Sequence, residues 1–333
     1  MKNLLSGLFG KNTNTVERAV QQAPQAVPPR PRVWAVGGCK GGVGKSVVAC
    51  NLAVMLAKTG KRALLVDADL GAANLHTLIG ETEAKRTLSG FIKSEFDDIR
   101  LAIGKTEIPR LDIISGARDS LDVASLNEHK VARLREGIGN VAYDYVVLDT
   151  APGTTNVILD IFMTANDGLL VVTPEPTSVE NAYRFIKCLI LRRIKKIHES
   201  DESGRLKSLL QKILHEKKDL RPRTVGNLLD ELRAYDHGQG AVLRELLRNT
   251  RLHIVVNQAR RPEDGALGYS MERACHDFFG LRVSFLGHIP YGDSVVESVR
   301  NRKPLIINNG DSEPAKSMEG IFYSLLQREI KPI

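Results

Sequence analysis

Aromatic residues make up only 5% of the 333 residues, with a single tryptophan, and the chain holds just four cysteines. Cys39, Cys50, Cys188 and Cys275 form no C-x-x-C pair, so they suggest neither a disulfide framework nor a thiolate metal cluster and read as free thiols. No uninterrupted apolar run approaches the roughly 20 residues that a membrane-crossing helix needs. Near the amino terminus, Ser6 and Gly7 break a short apolar patch, and Asn and Thr follow where a secretory signal would place small residues. A cytoplasmic chain is expected. Compositional disorder is excluded too, because 42% hydrophobic and 26% charged residues suffice for a full core.

What is present in excess is positive charge, and its placement is uneven. The formal net charge is +8; residues 192–251 hold 15 Lys/Arg against 9 Asp/Glu, and residues 1–32 hold 5 against 1. A near-neutral body therefore carries two basic appendages, which suits contact with an anionic surface. Residues 12–32 are rich in Gln, Asn, Thr and Pro and read as a flexible linker, so 1–32 is expected to be a short amphipathic segment plus linker and 33–333 the folded domain. From Val33 onwards, branched aliphatic runs recur: VWAV, ALLVDADL, LDIIS, YDYVVLDT, GLLVVTP, LHIVVNQ and VSFLGHIP. Most are separated by segments with helical spacing. Strands apolar on both faces that alternate with helices predict an α/β fold, a mostly parallel sheet with helices on both faces. Residues from about 195 to 250 break that rhythm and read as a basic helical insertion on the periphery of the domain.

The segment VWAVGGCKGGVGKSVVACNLAVMLAKTG sets a glycine-rich turn between a strand and a long helix, the context a P-loop requires. Gly41, Gly42, Val43, Gly44, Lys45, Ser46 and Val47 form the candidate phosphate cradle. The glycines let backbone N–H groups point at phosphate oxygens, the helix start adds its positive dipole end, and Lys45 places a charge at the terminal phosphates. Ser46 is the expected Mg2+ ligand. The strict pattern fails at its first glycine, which is Cys39 here. Asp67 and Asp69 end the second strand, and Asp149 ends YDYVVLDT in a Walker B arrangement before a T-A-P-G turn. Carboxylates at strand ends beside a P-loop suit the Mg2+ shell and the positioning of water.

With KGGVGKS filling the loop and a second lysine, Lys40, at its head, the sequence resembles the MinD/ParA group of P-loop ATPases, the SIMIBI class with a deviant Walker A loop. VDADLGAANLHTLIG resembles MinD-type and flagellar-number-regulator (FlhG-type) members most. The resemblance implies an ATP-dependent homodimer in which Lys40 reaches the partner's phosphates. It also implies that Asp69 orients the attacking water, that Asp67 assists at the metal shell, and that Asn74 belongs to the same switch. Two loops would enclose adenine: Asn257, whose amide would read the base edge, and Pro290, Tyr291 and Asp293. ATP and Mg2+ are the implied cofactors.

The expected role is that of a spatial or numerical regulator, of flagella or of the division site. A partition or cargo-positioning ATPase of the ParA type, binding DNA non-specifically through the insertion, is the alternative. The absence of paired cysteines argues against a metal-cluster carrier, and a tail offering only Tyr323 argues against a tyrosine kinase. Leu4, Leu5, Leu8 and Phe9 would share one helix face flanked by Lys2 and Lys11, so residues 1–11 are a candidate peripheral membrane contact at the inner face of the cell membrane. Arg192, Arg193, Lys195 and Lys196 head the basic cluster that would meet DNA phosphates, lipid or a protein partner.

Overall fold

The computed structural model describes residues 29–82, 84–116, 127–200 and 250–330. The strands are β1 (Arg32–Gly37), β2 (Ala63–Ala68), β3 (Ile103–Lys105), β4 (Leu111–Ile114), β5 (Tyr145–Thr150), β6 (Asp167–Val172), β7 (Leu252–Ala259) and β8 (Val283–Pro290). They form one sheet in the order β3-β4-β2-β5-β1-β6-β7-β8, parallel throughout except for the β3–β4 pair. Seven of the eight coincide with the aliphatic runs. β3 does not, because its three residues, IGK, carry one aliphatic side chain and pair only along an edge.

The helices are α1 (Lys45–Lys58), α2 (Leu75–Leu78), α3 (Leu88–Ile92), α4 (Glu128–Gly139), α5 (Asn156–Phe162), α6 (Pro176–Ser200), α7 (Pro262–Phe279), α8 (Asp293–Arg300), α9 (Leu305–Asn308) and α10 (Glu313–Ile330). Alternate residues of each central strand feed opposite sides of the sheet. Val33, Ala35, Leu64 and Val66 pack with α3 to α7, whereas Trp34, Val36 and Leu65 pack with α1, α9 and α10. α1 is buried almost all round, as its VVACNLAVMLA run dictates.

The expected amino-terminal segment and most of the insertion, residues 1–28 and 201–249, lie outside the described residues. β6 and β7, which flank the insertion in sequence, are neighbours in the sheet. The root of the insertion differs from expectation. Arg192 is only 4% exposed, with Nε and Nη2 donating to the two oxygens of Asp160 at 2.9 and 2.6 Å and a further bond to Glu128. Lys196 joins Asp160 at 3.0 Å, and Arg193 donates to Thr250 Oγ1 at 3.0 Å. These cations hold α6 to α5 and to the start of β7.

Close approach at the centre of the sheet depends on two glycines under one ring. A Cβ on Gly168 would meet the Phe162 ring at 2.5 Å, and one on Gly37 would meet it at 2.8 Å. Phe162 is 4% exposed and packs edge-on against Phe185, so it has nowhere to go. Gly168→Ala should therefore destabilise the protein by about 1–3 kcal/mol, read as a lower urea midpoint at unchanged slope.

Candidate functional site

In a parallel sheet all strands end on the same side, so the loops after β1, β2, β5, β7 and β8 converge on one edge. The loop after β1 is the glycine-rich turn. Gly42 and Gly44 adopt φ of +81° and +91°, a region that side chains with a Cβ avoid, and a Cβ on Gly44 would lie 2.2 Å from the Asn257 amide. Val43 is 2% exposed and anchors the turn in the core, while Gly41 and Gly42 stand at the surface. The Val47 carbonyl accepts from Asn51 Nδ2 at 2.8 Å, and Asn51 Oδ1 in turn caps Ile306 N–H, which braces the first turn of α1. Among the described residues the N–H groups of Gly41, Gly42, Val43 and Gly44 donate to no protein acceptor. They remain available to an anion.

Lys45 is 7% exposed, and burial holds its ammonium below the usual lysine range while the charges of Asp149 and Asp69 oppose that shift. The Ser46 side chain lies beside the Asp149 carboxylate. Asp67 and Asp149 are register partners on β2 and β5, 1% and 2% exposed. Burial first, then the neighbouring negative charge, pushes Asp67 up to about 8. Burial likewise pushes Asp149 up to about 7, against the pull of Ser46 and Lys45. Asp67 accepts N–H bonds from Asp69 at 3.2 Å and Leu75 at 3.1 Å, but Asp149 Oδ1 is buried with no partner. An orphaned carboxylate oxygen beside a hydroxyl and a second carboxylate is a donor set that fits a hard divalent cation such as Mg2+. The protein residues present therefore suit that ion.

Asp69 is partly exposed, and its Oδ1 accepts from Gly71 and Ala72 N–H at 3.2 and 3.1 Å within its own turn. Asn74 is exposed, donates to the Ala72 carbonyl at 2.7 Å and precedes α2. The turn after β5 is tied to the glycine-rich loop, with Thr150 Oγ1 donating to Val36 O at 3.0 Å and Gly153 N–H to Gly38 O at 3.3 Å. Cys39, at the position where the strict motif has glycine, donates to the Asn181 carbonyl on α6 at 2.7 Å, and burial pushes its thiol up to about 11. Lys40, the next residue, is exposed and makes no ion pair or hydrogen bond with any described residue.

The two expected base loops lie side by side, with Pro290 opposite Ala259 and Tyr291 N–H donating to Ala259 O at 2.8 Å. Tyr291 is 45% exposed under the guanidinium of Arg260, 4.0 Å from the ring centre, and Asp293 is exposed at the start of α8. Asn257 is placed differently from the expectation. Its Nδ2 donates to the Val43 carbonyl at 2.8 Å, so the amide that was to read a base edge is engaged by the loop. Gln258 does the same to Gly42 O at 2.9 Å. Neither Gln258 nor Arg260 stood out in the sequence; the only available signal was a run of polar side chains directly after an apolar strand.

The raised carboxylates give stability a defined pH dependence. Their folded-state values lie above the 3.8 of an ordinary aspartate, so folding favours the neutral form. That contribution is complete below 3.8 and is lost as pH rises through about 7 to 8. Without Mg2+, Asp149→Asn should gain on wild type in melting temperature as pH is raised from about 5 to about 8. An identical gap at both ends of the titration would refute the protonated pair.

An AAA domain family model matches residues 31–204, more than half of the chain. The antiactivator FleN of Pseudomonas aeruginosa is 29% identical over 277 residues, 82% of this chain and 78% of FleN. The septum site-determining protein MinD of Synechocystis is 30% identical over 50% of this chain, and the chromosome partitioning protein ParA of Caulobacter vibrioides is 36% identical over 42%. Those matches span 62% of that MinD and 55% of that ParA. The cell division ATPase MinD of Pyrococcus furiosus shares the fold at a TM-score of 0.59 and 19% identity, over 89% of this chain and 98% of that one. The chain thus belongs to the AAA-domain family matched by that model and, within it, to the P-loop ATPases of the MinD/ParA type, which hydrolyse ATP with Mg2+.

Proposed function

We propose that the protein is a spatial or numerical regulator whose ATP-bound form is a homodimer and whose hydrolysis ends each period of attachment. The supporting relatives are an antiactivator, FleN, and a septum-site protein, MinD, so control of flagella or of the division site is the reading put forward. The observation that carries it is the contrast between two lysines of one loop. Lys45 is buried against Asp149 and Asp69, whereas Lys40 stands exposed with nothing to neutralise among the described residues.

In this reading the N–H groups from Gly41 to Val47 hold the phosphates and Lys45 neutralises the terminal ones. Ser46 and Asp149, with Asp67 behind them, would hold Mg2+, which supplies charge neutralisation to the transferred phosphoryl group when bound. Asp69 orients the attacking water once its turn opens towards the nucleotide. Pro290, Tyr291 and Asp293, with the loop that Asn257 begins, flank the base. Lys40 serves the neighbouring protomer, a cation delivered in trans as an arginine finger is. Turnover per protomer should then rise with protein concentration. Lys45→Ala should lose ATP binding, whereas Lys40→Ala should keep it and lose about 10³-fold in rate. A Lys40→Ala protein hydrolysing at the wild-type rate would rule out the shared site.

Residues 1–11 are proposed as the surface contact. One copy of so short a segment binds weakly and two copies on a dimer bind by avidity, which would make ATP occupancy a membrane switch. Deleting residues 1–12 should abolish ATP-dependent sedimentation with anionic liposomes. Unchanged sedimentation would dismiss the anchor, and a salt-sensitive DNA gel shift seen only with ATP would favour the partition-type alternative that ParA represents.

A further inference from the structure

Gln258 lies where a regular strand could not put it to use. Along a β-strand neighbouring side chains point to opposite faces, so Asn257 and Gln258 ought to diverge. The pairing of β7 with β8 is irregular here: Asn257 lies opposite Ile289 and Ala259 opposite Pro290, which leaves Gln258 as an extra residue on β7. Gln258 takes φ of +60°, a left-handed conformation that costs a residue with a Cβ and that glycine would adopt freely. The outcome is that two consecutive amides turn towards the same loop. Asn257 Nδ2 donates to Val43 O at 2.8 Å and Gln258 Nε2 to Gly42 O at 2.9 Å. Bulges recur beside functional sites because they re-aim a side chain in this way.

The effect on the loop follows from the peptide unit itself. A trans peptide is planar, and its C=O and N–H point in opposite directions. Holding the Gly42 carbonyl towards β7 therefore turns the Val43 N–H the other way, and holding the Val43 carbonyl does the same for the Gly44 N–H. Those two N–H groups are among the four that donate to no protein acceptor among the described residues. Val43 is anchored in the core, but little else fixes Gly41 and Gly42. Gly42 has φ of +81°, and nothing lies within 4 Å of where a Cβ would be on Gly41 or Gly42. Asn257 reaches the buried inner side of the turn and Gln258 its exposed side.

We propose that Gln258 is a positioning residue for the phosphate cradle: its hydrogen bond to the Gly42 carbonyl sets the Val43 N–H for an incoming triphosphate before the nucleotide arrives. The proposal rests on the reading of the glycine-rich loop as the triphosphate site. It would also link the two ends of that site mechanically, because Gln258 stands at the end of β7, next to the loop proposed to flank the base.

Two full-length variants test it, with ATP affinity measured directly and AMP affinity by competition. Gln258→Met keeps the length of the side chain without a donor, and Gln258→Gly accepts the positive φ and also lacks the amide. In both, ATP affinity should fall about tenfold relative to AMP affinity, the scale of one lost hydrogen bond. Gln258→Gly should melt no lower than wild type, because relief of backbone strain offsets the lost bond. A purely structural role would lower the melting temperature and weaken both nucleotides alike. An ATP-to-AMP ratio unchanged in Gln258→Gly overturns the positioning role, while loss of ATP binding in Lys45→Ala in the same assays shows that the site itself stands. Undiminished ATP binding by Lys45→Ala would overturn the site and this proposal together.

Discussion

Two carboxylates facing each other inside a sheet are the constraint on which the rest of the site depends. Asp67 and Asp149 are paired across β2 and β5 and nearly inaccessible, and the buried ammonium of Lys45 acts on Asp149 and on Asp69 rather than on Asp67. Two like charges at such a point are costly unless they hold a proton or find a cation. The glycine-rich loop, Ser46 and the positive end of α1 surround the spot where that cation and its phosphates would sit. At that spot the polar groups without partners among the described residues, Asp149 Oδ1 and the loop amides, are ones that a magnesium–nucleotide complex would satisfy.

The opposite edge of the sheet shows what a buried aspartate looks like when it only holds structure together. Asp167 is fully buried, yet Arg32, Arg251 and His253 all reach its carboxylate. Burial works against it, but the bonds and charges of His253 and Arg32 keep it below the ordinary aspartate range. Glu329 on α10 likewise accepts from Trp34 Nε1 at 2.7 Å and Tyr145 Oη at 2.8 Å. One edge of the sheet is electrostatically closed and the other is left open, which is where a pKa perturbed upward marks a functional centre.

The parallel core and the carboxyl-edge site were legible because their rules are local. A strand buried on both faces must be a run of aliphatic residues, and parallel strands must end together, so Lys45, Ser46, Asp67 and Asp149 could be brought to one place from the sequence. What escaped depended on partners distant in sequence. β3 exists because β4 offers an edge, not because IGK is strand-like. Arg192 reads as a surface cation until Asp160, 32 residues earlier, is seen beneath it. Asn257 reads as a base-contacting amide in the sequence, and its bond to the Val43 carbonyl depends on the approach of β7 to Gly44. Gln258 was invisible for the same reason, since a bulge has no residue signature unless glycine fills it.

Lys40 is the feature that the folded monomer does not explain: a lysine at the mouth of a cradle whose charges are met by Lys45. The claim that it acts across a dimer interface is tested most directly by mixing two inactive proteins, Lys40→Ala and Asp69→Ala. In a heterodimer, the protomer that lacks Lys40 keeps its own Asp69 and receives the other's Lys40, so one of the two sites is whole. An equimolar mixture should recover about a quarter of wild-type turnover. A mixture no more active than its separate components would show that each lysine works only within its own chain and would contradict the account.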